Sequence, residues 1–110
     1  MVDARSTELA DRIRALLGAQ AGLEEKDMFG SRAFLLDGRI LVGSRKGGML
    51  LIHVSDEQAA TLLLRPGASR AVMGSRTMKS GWLDVAAEVL DDDGELMFWL
   101  DVAREEATSR

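Results

Sequence analysis

The segment FLLDGRILVG, residues 34–43, constrains the fold of this chain more than any other stretch. Two apolar runs flank Asp37-Gly38. This dipeptide is typical of a two-residue hairpin turn, because such a turn requires positive φ at both central positions. Strands joined through so short a turn pair antiparallel. The segment therefore predicts an antiparallel sheet against which the rest of the chain must pack.

Further apolar segments extend this hairpin into a meander of three or four strands. The turn SRKGG, residues 44–48, leads into MLLIHV, residues 49–54, which predicts another strand. LEEKDMF, residues 23–29, precedes the hairpin and predicts one more. GWLDV, residues 81–85, predicts a strand late in the chain. Together these segments predict a sheet of about five to six strands.

Helical spacing of apolar residues appears before and after the meander. Residues 6–17 repeat leucine and isoleucine at helical intervals, and Ser6 or Thr7 can cap this helix. A second helix is expected after Ser55, which forms a capping-box pattern with Gln58. The helix is expected to continue through three leucines, Leu62, Leu63 and Leu64.

The last helix is predicted to follow Asp92, which repeats the capping-box pattern with Glu95. Its expected buried stripe is Leu96, Trp99, Leu100, Ala103 and Ala107. The predicted order is α-β-β-β(-β)-α-β-β-α. Consecutive strands followed by helices favour an α+β, two-layer architecture with an antiparallel sheet. A length of 110 residues predicts a single domain, 1–110.

Composition excludes several classes of protein. A hydrophobic content of 46% and a charged content of 29% are ordinary for a soluble globular domain. The chain has no cysteine, which excludes disulfides and thiolate metal sites. No apolar run approaches membrane-spanning length, and the first residues lack the apolar core of a signal peptide. We therefore expect a soluble, cytoplasmic protein with no membrane association, cofactor or metal.

Charge is distributed unevenly around the net value of −4. Residues 30–81 carry three acids and eight bases, whereas residues 82–110 carry nine acids and two bases. The segment RPGASRAVMGSRTMKSGW, residues 65–82, contains no acid and four cations, Arg65, Arg70, Arg76 and Lys79. Such a distribution affects association and steering of ligands rather than fold.

Three motifs resemble catalytic or ligand sites but favour structural interpretations. GSRTMKS, residues 74–80, lacks the glycine before lysine that a phosphate-binding loop needs, and is one residue short. His53 is the only histidine, which excludes a histidine–cysteine pair and a multi-histidine metal site. Asp91-Asp92-Asp93 lacks the spacing of a calcium loop and favours helix capping. No catalytic residues are predicted.

The basic segment has two interpretations that the sequence leaves open. Arg70, Arg76 and Lys79 with Trp82 could contact phosphates and stack a base. Alternatively, the segment is a solvated loop and an edge strand that its cations protect from aggregation.

Several landmarks together resemble the N-terminal domain of TfoX/Sxy-type proteins. They are Met28-Phe29-Gly30, the Asp37-Gly38 turn, Arg65-Pro66-Gly67, Met78-Lys79, Gly81-Trp82 and the acid-capped final helix. The match covers nearly the whole chain in the same order. It departs locally, since Gly30-Ser31 replaces a frequent glycine pair and Ser80 is inserted between Lys79 and Gly81.

The resemblance implies a compact α+β domain without known catalytic residues. It also implies a role in regulation, because full-length relatives regulate transcription of competence genes together with the cyclic-AMP receptor protein. Those relatives carry a second, C-terminal domain, for which a chain ending at Arg110 has no room. We expect a non-enzymatic, cytoplasmic interaction domain with a protein partner, and self-association as a homodimer is an open expectation. The alternative is a weak nucleic-acid-binding module that uses the basic 65–79 segment.

Overall fold

The computed structural model describes residues 4–18, 20–28 and 31–108. Its helices are α1 (Ala4–Leu17), α2 (Asp56–Leu62), α3 (Ala87–Leu90) and α4 (Asp93–Thr108). Its strands are β1 (Leu23–Met28), β2 (Ser31–Leu36), β3 (Arg39–Arg45), β4 (Met49–His53), β5 (Ala68–Arg70), β6 (Val72–Met73), β7 (Arg76–Thr77) and β8 (Trp82–Val85). A 3₁₀ turn, Lys46–Gly48, joins β3 to β4.

Six of the strands form one sheet in the order β1-β2-β3-β4-β8-β5, in which each neighbouring pair is antiparallel. This arrangement confirms the predicted α+β class with a six-stranded antiparallel sheet. Strands β6 and β7 pair with each other in a separate hairpin. This hairpin and the short helix α3 were not predicted, because elements of two to four residues are too short to display a hydrophobic period.

The predicted hairpin turn lies between β2 and β3. Asp37 and Gly38 both have positive φ, 52° and 84°, as a two-residue turn requires. The register of the two strands shifts between Phe34 and Leu35, so that Leu41 is the extra residue of a bulge. This shift allows the adjacent side chains of Leu41 and Val42 both to be buried.

Helix α1 begins before its predicted start. Because its first residue is Ala4, the prediction that Ser6 or Thr7 caps the helix is wrong. Ser6 is instead buried in the first turn, where Ser44 Oγ donates a hydrogen bond of 2.6 Å to the Ser6 carbonyl oxygen. Ser6 Oγ also lies 3.3 Å from the Ser44 carbonyl oxygen. These contacts join α1 to β3.

The two predicted capping boxes are each present only in half. Ser55 caps α2, since its Oγ accepts a hydrogen bond from the Gln58 amide, but the Gln58 Oε1 atom is buried without a partner among the described residues. Asp92 accepts a hydrogen bond of 2.9 Å from the Gly94 amide at the start of α4. Glu95 does not complete that box, because its carboxylate binds side chains elsewhere.

Helix α2 ends at Leu62, two residues earlier than predicted. The amides of Leu64 and Arg65 donate to carbonyls three residues back, which closes the helix with tighter turns. Leu64 therefore leaves the apolar face and is 84% exposed.

Helices α1 and α4 pack on one face of the sheet, where the core lies. The predicted stripes are buried there, including Leu9, Ile13 and Leu17 of α1, and Leu96, Trp99, Leu100 and Ala103 of α4. Alternate residues of β8, Leu83 and Val85, face this core. Trp82 and Asp84 consequently point to the opposite face of the sheet, because successive side chains of a strand alternate.

Strand β1 is an edge of the sheet and carries charged residues, as protected edges often do. The Arg14 guanidinium of α1 donates to both Glu25 carboxylate oxygens, at 2.6 and 2.7 Å. This bidentate hydrogen bonding lowers the pKa of Glu25 from its ordinary value. The pair attaches the first helix to the edge of the sheet.

Candidate functional site

An ion pair fastens the β6–β7 hairpin to the sheet. Arg45 Nη1 donates to both carboxylate oxygens of Asp84, at 2.7 and 2.9 Å, and Arg45 Nη2 donates to the Val72 carbonyl oxygen at 2.7 Å. Asp84 Oδ2 also accepts a long hydrogen bond, 3.4 Å, from the Val72 amide. The Asp84 side chain is only 7% exposed. We call this arrangement the Arg45–Asp84 clamp.

Backbone hydrogen bonds hold the base of the hairpin. The Ala71 amide donates to the Trp82 carbonyl oxygen at 3.0 Å, and the Met78 amide donates to the Ala71 carbonyl oxygen at 2.9 Å. Ser80 Oγ donates to Asp56 Oδ1 at 2.7 Å, which links the end of the segment to α2. The hairpin is therefore fixed at its base as well as by the clamp.

Gly81 is required by this geometry. Its φ is 98°, and a Cβ atom at this position would lie 2.5 Å from the Val54 carbonyl oxygen. The Gly81 carbonyl oxygen accepts a hydrogen bond of 2.8 Å from the Val54 amide, so the segments that contain these two residues cannot separate without losing this bond. The glycine before Trp82 thus allows the chain to turn close against the end of β4.

A shallow, open groove of about 420 Å³ lies between the hairpin and β8. We call it the hairpin groove, and its lining residues are Met73, Arg76, Thr77, Met78, Lys79 and Trp82. Trp82 is half-buried, and its ring lies 4.5 Å from the His53 ring, centroid to centroid, with the planes tilted by 38°. The groove thus combines an aromatic ring packed against His53, thioether side chains and two cations.

The structure brings together three of the four candidate binding residues. Arg76, Lys79 and Trp82 line the hairpin groove. Within the part of the chain that the structure describes, neither Arg76 nor Lys79 forms an ion pair. Arg70 is also exposed, but it lies opposite Leu83 on the edge strand β5 and does not line the groove. Since paired residues share a face, Arg70 belongs to the helix side of the sheet.

Arg65 serves a different purpose from the other cations of its segment. Its Nη2 lies 3.1 Å from each carboxylate oxygen of Glu95, and its guanidinium lies 3.7 Å from the centre of the Phe98 ring. Trp99 Nε1 donates to the same carboxylate at 3.2 Å. The first cation of the basic segment therefore connects the end of α2 to α4.

The remaining family landmarks occupy structural positions. Gly67 follows the exposed Pro66 with a φ of 86°, and a Cβ atom there would lie 2.8 Å from Val89 Cγ2. Met78 is half-buried at the groove. Met28 ends β1, and the neighbouring landmarks Phe29 and Gly30 lie outside the described residues.

The interpretations of His53 and the aspartate run agree with the geometry. Ile52 and Val54 are buried in the core, whereas His53 is half-buried on the opposite face beside Trp82. Asp92 caps α4, and Asp93 forms an ion pair of 2.7 Å with Arg12 of α1.

Sequence reasoning did not identify Arg45 and Asp84. The two residues are far apart in the chain and belong to no recognised motif, so only the pairing of β3 with β4 and of β4 with β8 brings them together. The sequence does contain one indication of a buried ion pair. Asp84 interrupts the apolar strand WLDV, and an acid in such a strand requires a partner if it is buried.

The exposed acids of α4 and the cations of the hairpin groove lie on opposite sides of the sheet. Helix α4, which carries exposed acids such as Asp101 and Glu105, packs on the core face, whereas Trp82 and the groove lie on the other face. The sheet therefore separates these α4 carboxylates from Arg76 and Lys79. Among the described residues, no helix combines the length and apolarity needed to cross a bilayer.

Comparison with known proteins identifies the family of this fold. The family model of the TfoX N-terminal domain matches residues 15–107, from the last turn of α1 to the last turn of α4. This span includes the clamp and the whole hairpin groove. No curated protein and no solved structure gives a match. Because the family model covers most of the chain and agrees with the landmarks above, the chain belongs to the TfoX N-terminal domain family.

Proposed function

We propose that this chain is a non-enzymatic regulatory domain that acts in the cytoplasm by binding another macromolecule, in keeping with the link between the TfoX family and competence gene transcription. One observation carries the proposal. The hairpin groove presents Arg76 and Lys79 beside Trp82 on a segment held by the Arg45–Asp84 clamp. Arginine, methionine and tryptophan, all present in this groove, are enriched at protein interfaces.

Several other polar groups are engaged in structural contacts, which supports binding rather than catalysis. Asp84 is paired with Arg45, Glu95 binds Arg65 and Trp99, and Ser55 caps a helix. These groups have structural partners that account for their positions. Arg76 and Lys79 are exposed and form no ion pair with another described residue, so both can interact with something outside the domain.

A partner protein is the first expected ligand, and an acidic surface would complement the groove. In an affinity capture from the native host, the wild-type chain should retain a partner that Arg76→Glu/Lys79→Glu loses, because the substitution reverses the charge of the groove. Mass spectrometry of the captured proteins compares the two baits.

The matched control is Arg70→Glu, which changes an exposed cation of the same segment outside the groove. This control should retain the partner. Equal capture by all three baits would show that the groove does not bind it, and loss with Arg70→Glu alone would place the contact at β5 instead.

Nucleic-acid binding is a second candidate function, supported by the convergence of Arg76, Lys79 and Trp82 on one groove. Each phosphate contact releases counterions, so affinity should fall steeply as salt concentration rises. Arg76→Ala and Lys79→Ala are each expected to reduce the slope of log K against log salt by about 0.7–0.9.

Fluorescence anisotropy at several salt concentrations measures this slope. Arg70→Ala should leave it unchanged, because Arg70 lies outside the groove. Binding that is insensitive to salt, or equal slopes for all variants, would contradict the assignment of phosphate contacts to Arg76 and Lys79.

A further inference from the structure

We infer that the hairpin groove selects single-stranded nucleic acid, with one unstacked base on the Trp82 indole and the adjacent phosphates at Arg76 and Lys79. The inference rests on the second candidate function and specifies its ligand. Three features of the groove carry it: an ordered aromatic ring, two cations free to bind anions, and a support that holds them in fixed relation.

The Trp82 ring is supported by the neighbouring strand β4. Its backbone pairs with His53 of β4, and the His53 ring packs against the indole at a centroid distance of 4.5 Å. Trp82 also lines the groove, so the indole contacts the protein while part of it remains accessible. An aromatic ring that is already ordered loses little conformational entropy when a base stacks on it.

The two cations line the same groove as this ring. Arg76 begins β7, and Lys79 lies two residues after the end of that strand. Both are exposed and make no ion pair within the described ranges of the chain. An anion that binds here therefore displaces no internal partner.

The Arg45–Asp84 clamp connects the two sides of the groove, which are β8 and the β6–β7 hairpin. It joins β8, which carries Trp82, to Val72 at the beginning of the hairpin that carries Arg76. The groove volume of about 420 Å³ leaves space for one base beside Trp82.

The aromatic ring determines which form of nucleic acid fits. Bases in a duplex are stacked on each other, and their faces are not available to a protein side chain. A single strand offers free base faces, and stacking on aromatic residues is common to proteins that bind single strands without sequence preference. Phosphate contacts alone would not distinguish the two forms.

The experiment measures binding of the intact chain to a short fluorescein-labelled poly-dT strand at low salt. Parallel measurements use its duplex with poly-dA, an abasic strand of equal length, and poly-U of equal length. Tryptophan fluorescence gives a second readout, because Trp99 is fully buried and quenching by a base reports on Trp82. The poly-dT strand should bind more tightly than the duplex and the abasic strand, and it should quench this fluorescence.

Variants of Trp82 test the stacking contact directly. Trp82→Leu should weaken binding of poly-dT by roughly ten- to a hundredfold, whereas Trp82→Phe should retain most of the affinity because it keeps a flat ring. Circular dichroism confirms that each variant is folded. Preference for poly-dT over poly-U, or the reverse, identifies DNA or RNA as the natural strand, and either result supports the inference.

Two results would overturn the inference in different ways. Salt-sensitive binding that is equal for poly-dT, duplex and abasic strand, and unaffected by Trp82→Leu, would remove base stacking and leave nucleic-acid binding intact. Absence of binding to every strand at low salt would reject both the inference and the second candidate function, while the partner-protein proposal would stand.

Discussion

Asp84→Ala is expected to destabilise the domain by about 3 kcal/mol, because it leaves the Arg45 charge in a mostly buried site without its counter-ion. Removing one member of a buried ion pair typically costs about 3–5 kcal/mol. We place the cost at the lower end, since the Arg45 side chain retains 14% exposure and keeps its hydrogen bond to the Val72 carbonyl oxygen. Urea unfolding followed by circular dichroism measures the difference.

The matched control is Asp101→Ala, which removes an exposed ion pair of 2.6 Å with Arg104 on α4. That variant should change stability by at most about 1 kcal/mol, as exposed pairs generally do. If Asp84→Ala were no more destabilising than Asp101→Ala, the clamp would have no structural importance.

The double variant Arg45→Met/Asp84→Leu separates stability from hairpin position. Replacing both buried charges with apolar side chains often restores stability. The double variant should therefore unfold close to the wild type, yet bind poly-dT more weakly, because Val72 loses its hydrogen bonds to Arg45 and Asp84. Wild-type affinity in this variant would show that the clamp does not position the groove.

Trp99→Ala is expected to cost about 3–5 kcal/mol, the usual effect of truncating a large aromatic side chain in a core. Trp99 has no exposed surface and packs edge-on against Phe98 with a centroid distance of 5.3 Å. The substitution leaves a cavity in the centre of the helix–sheet interface. It also removes the hydrogen bond from the indole to Glu95, which holds Arg65.

Two further variants distinguish the causes of that loss of stability. Trp99→Phe keeps most of the apolar volume and should recover a large part of the stability, so the remainder reports on the smaller ring and the missing indole N–H. Trp82→Ala should be clearly milder than Trp99→Ala, because Trp82 is only half-buried. Equal effects of the two alanine substitutions, measured by chemical denaturation, would contradict the assignment of Trp99 to the centre of the core.

Roles in competence and transcription, and self-association as a homodimer, stay predictions for this chain. They concern contacts with other molecules, whereas several family landmarks have structural positions inside the domain. Gly67 and Gly81 permit positive φ where another segment of the chain lies close by, and Arg65 stabilises the contact of α2 with α4. These landmarks identify the fold more directly than they identify an activity.

The sequence by itself determined the elements governed by local physics. Asp37-Gly38 specified the central hairpin because few residues tolerate positive φ. Ser55 marked the start of α2, and apolar spacing marked the buried faces of α1 and α4, since each signal lies within a few neighbouring residues. The basic segment was also recognisable from charge alone.

Only the tertiary structure decided how the cations of that segment are used. Arg65 pairs with Glu95 of α4, Arg70 lies on the helix side of an edge strand, and Arg76 and Lys79 meet Trp82 in a groove. The Arg45–Asp84 clamp that positions this groove is formed by residues 39 apart in sequence. Such a contact depends on the strand order β3-β4-β8, and no local pattern encodes which distant charge will lie opposite a buried carboxylate.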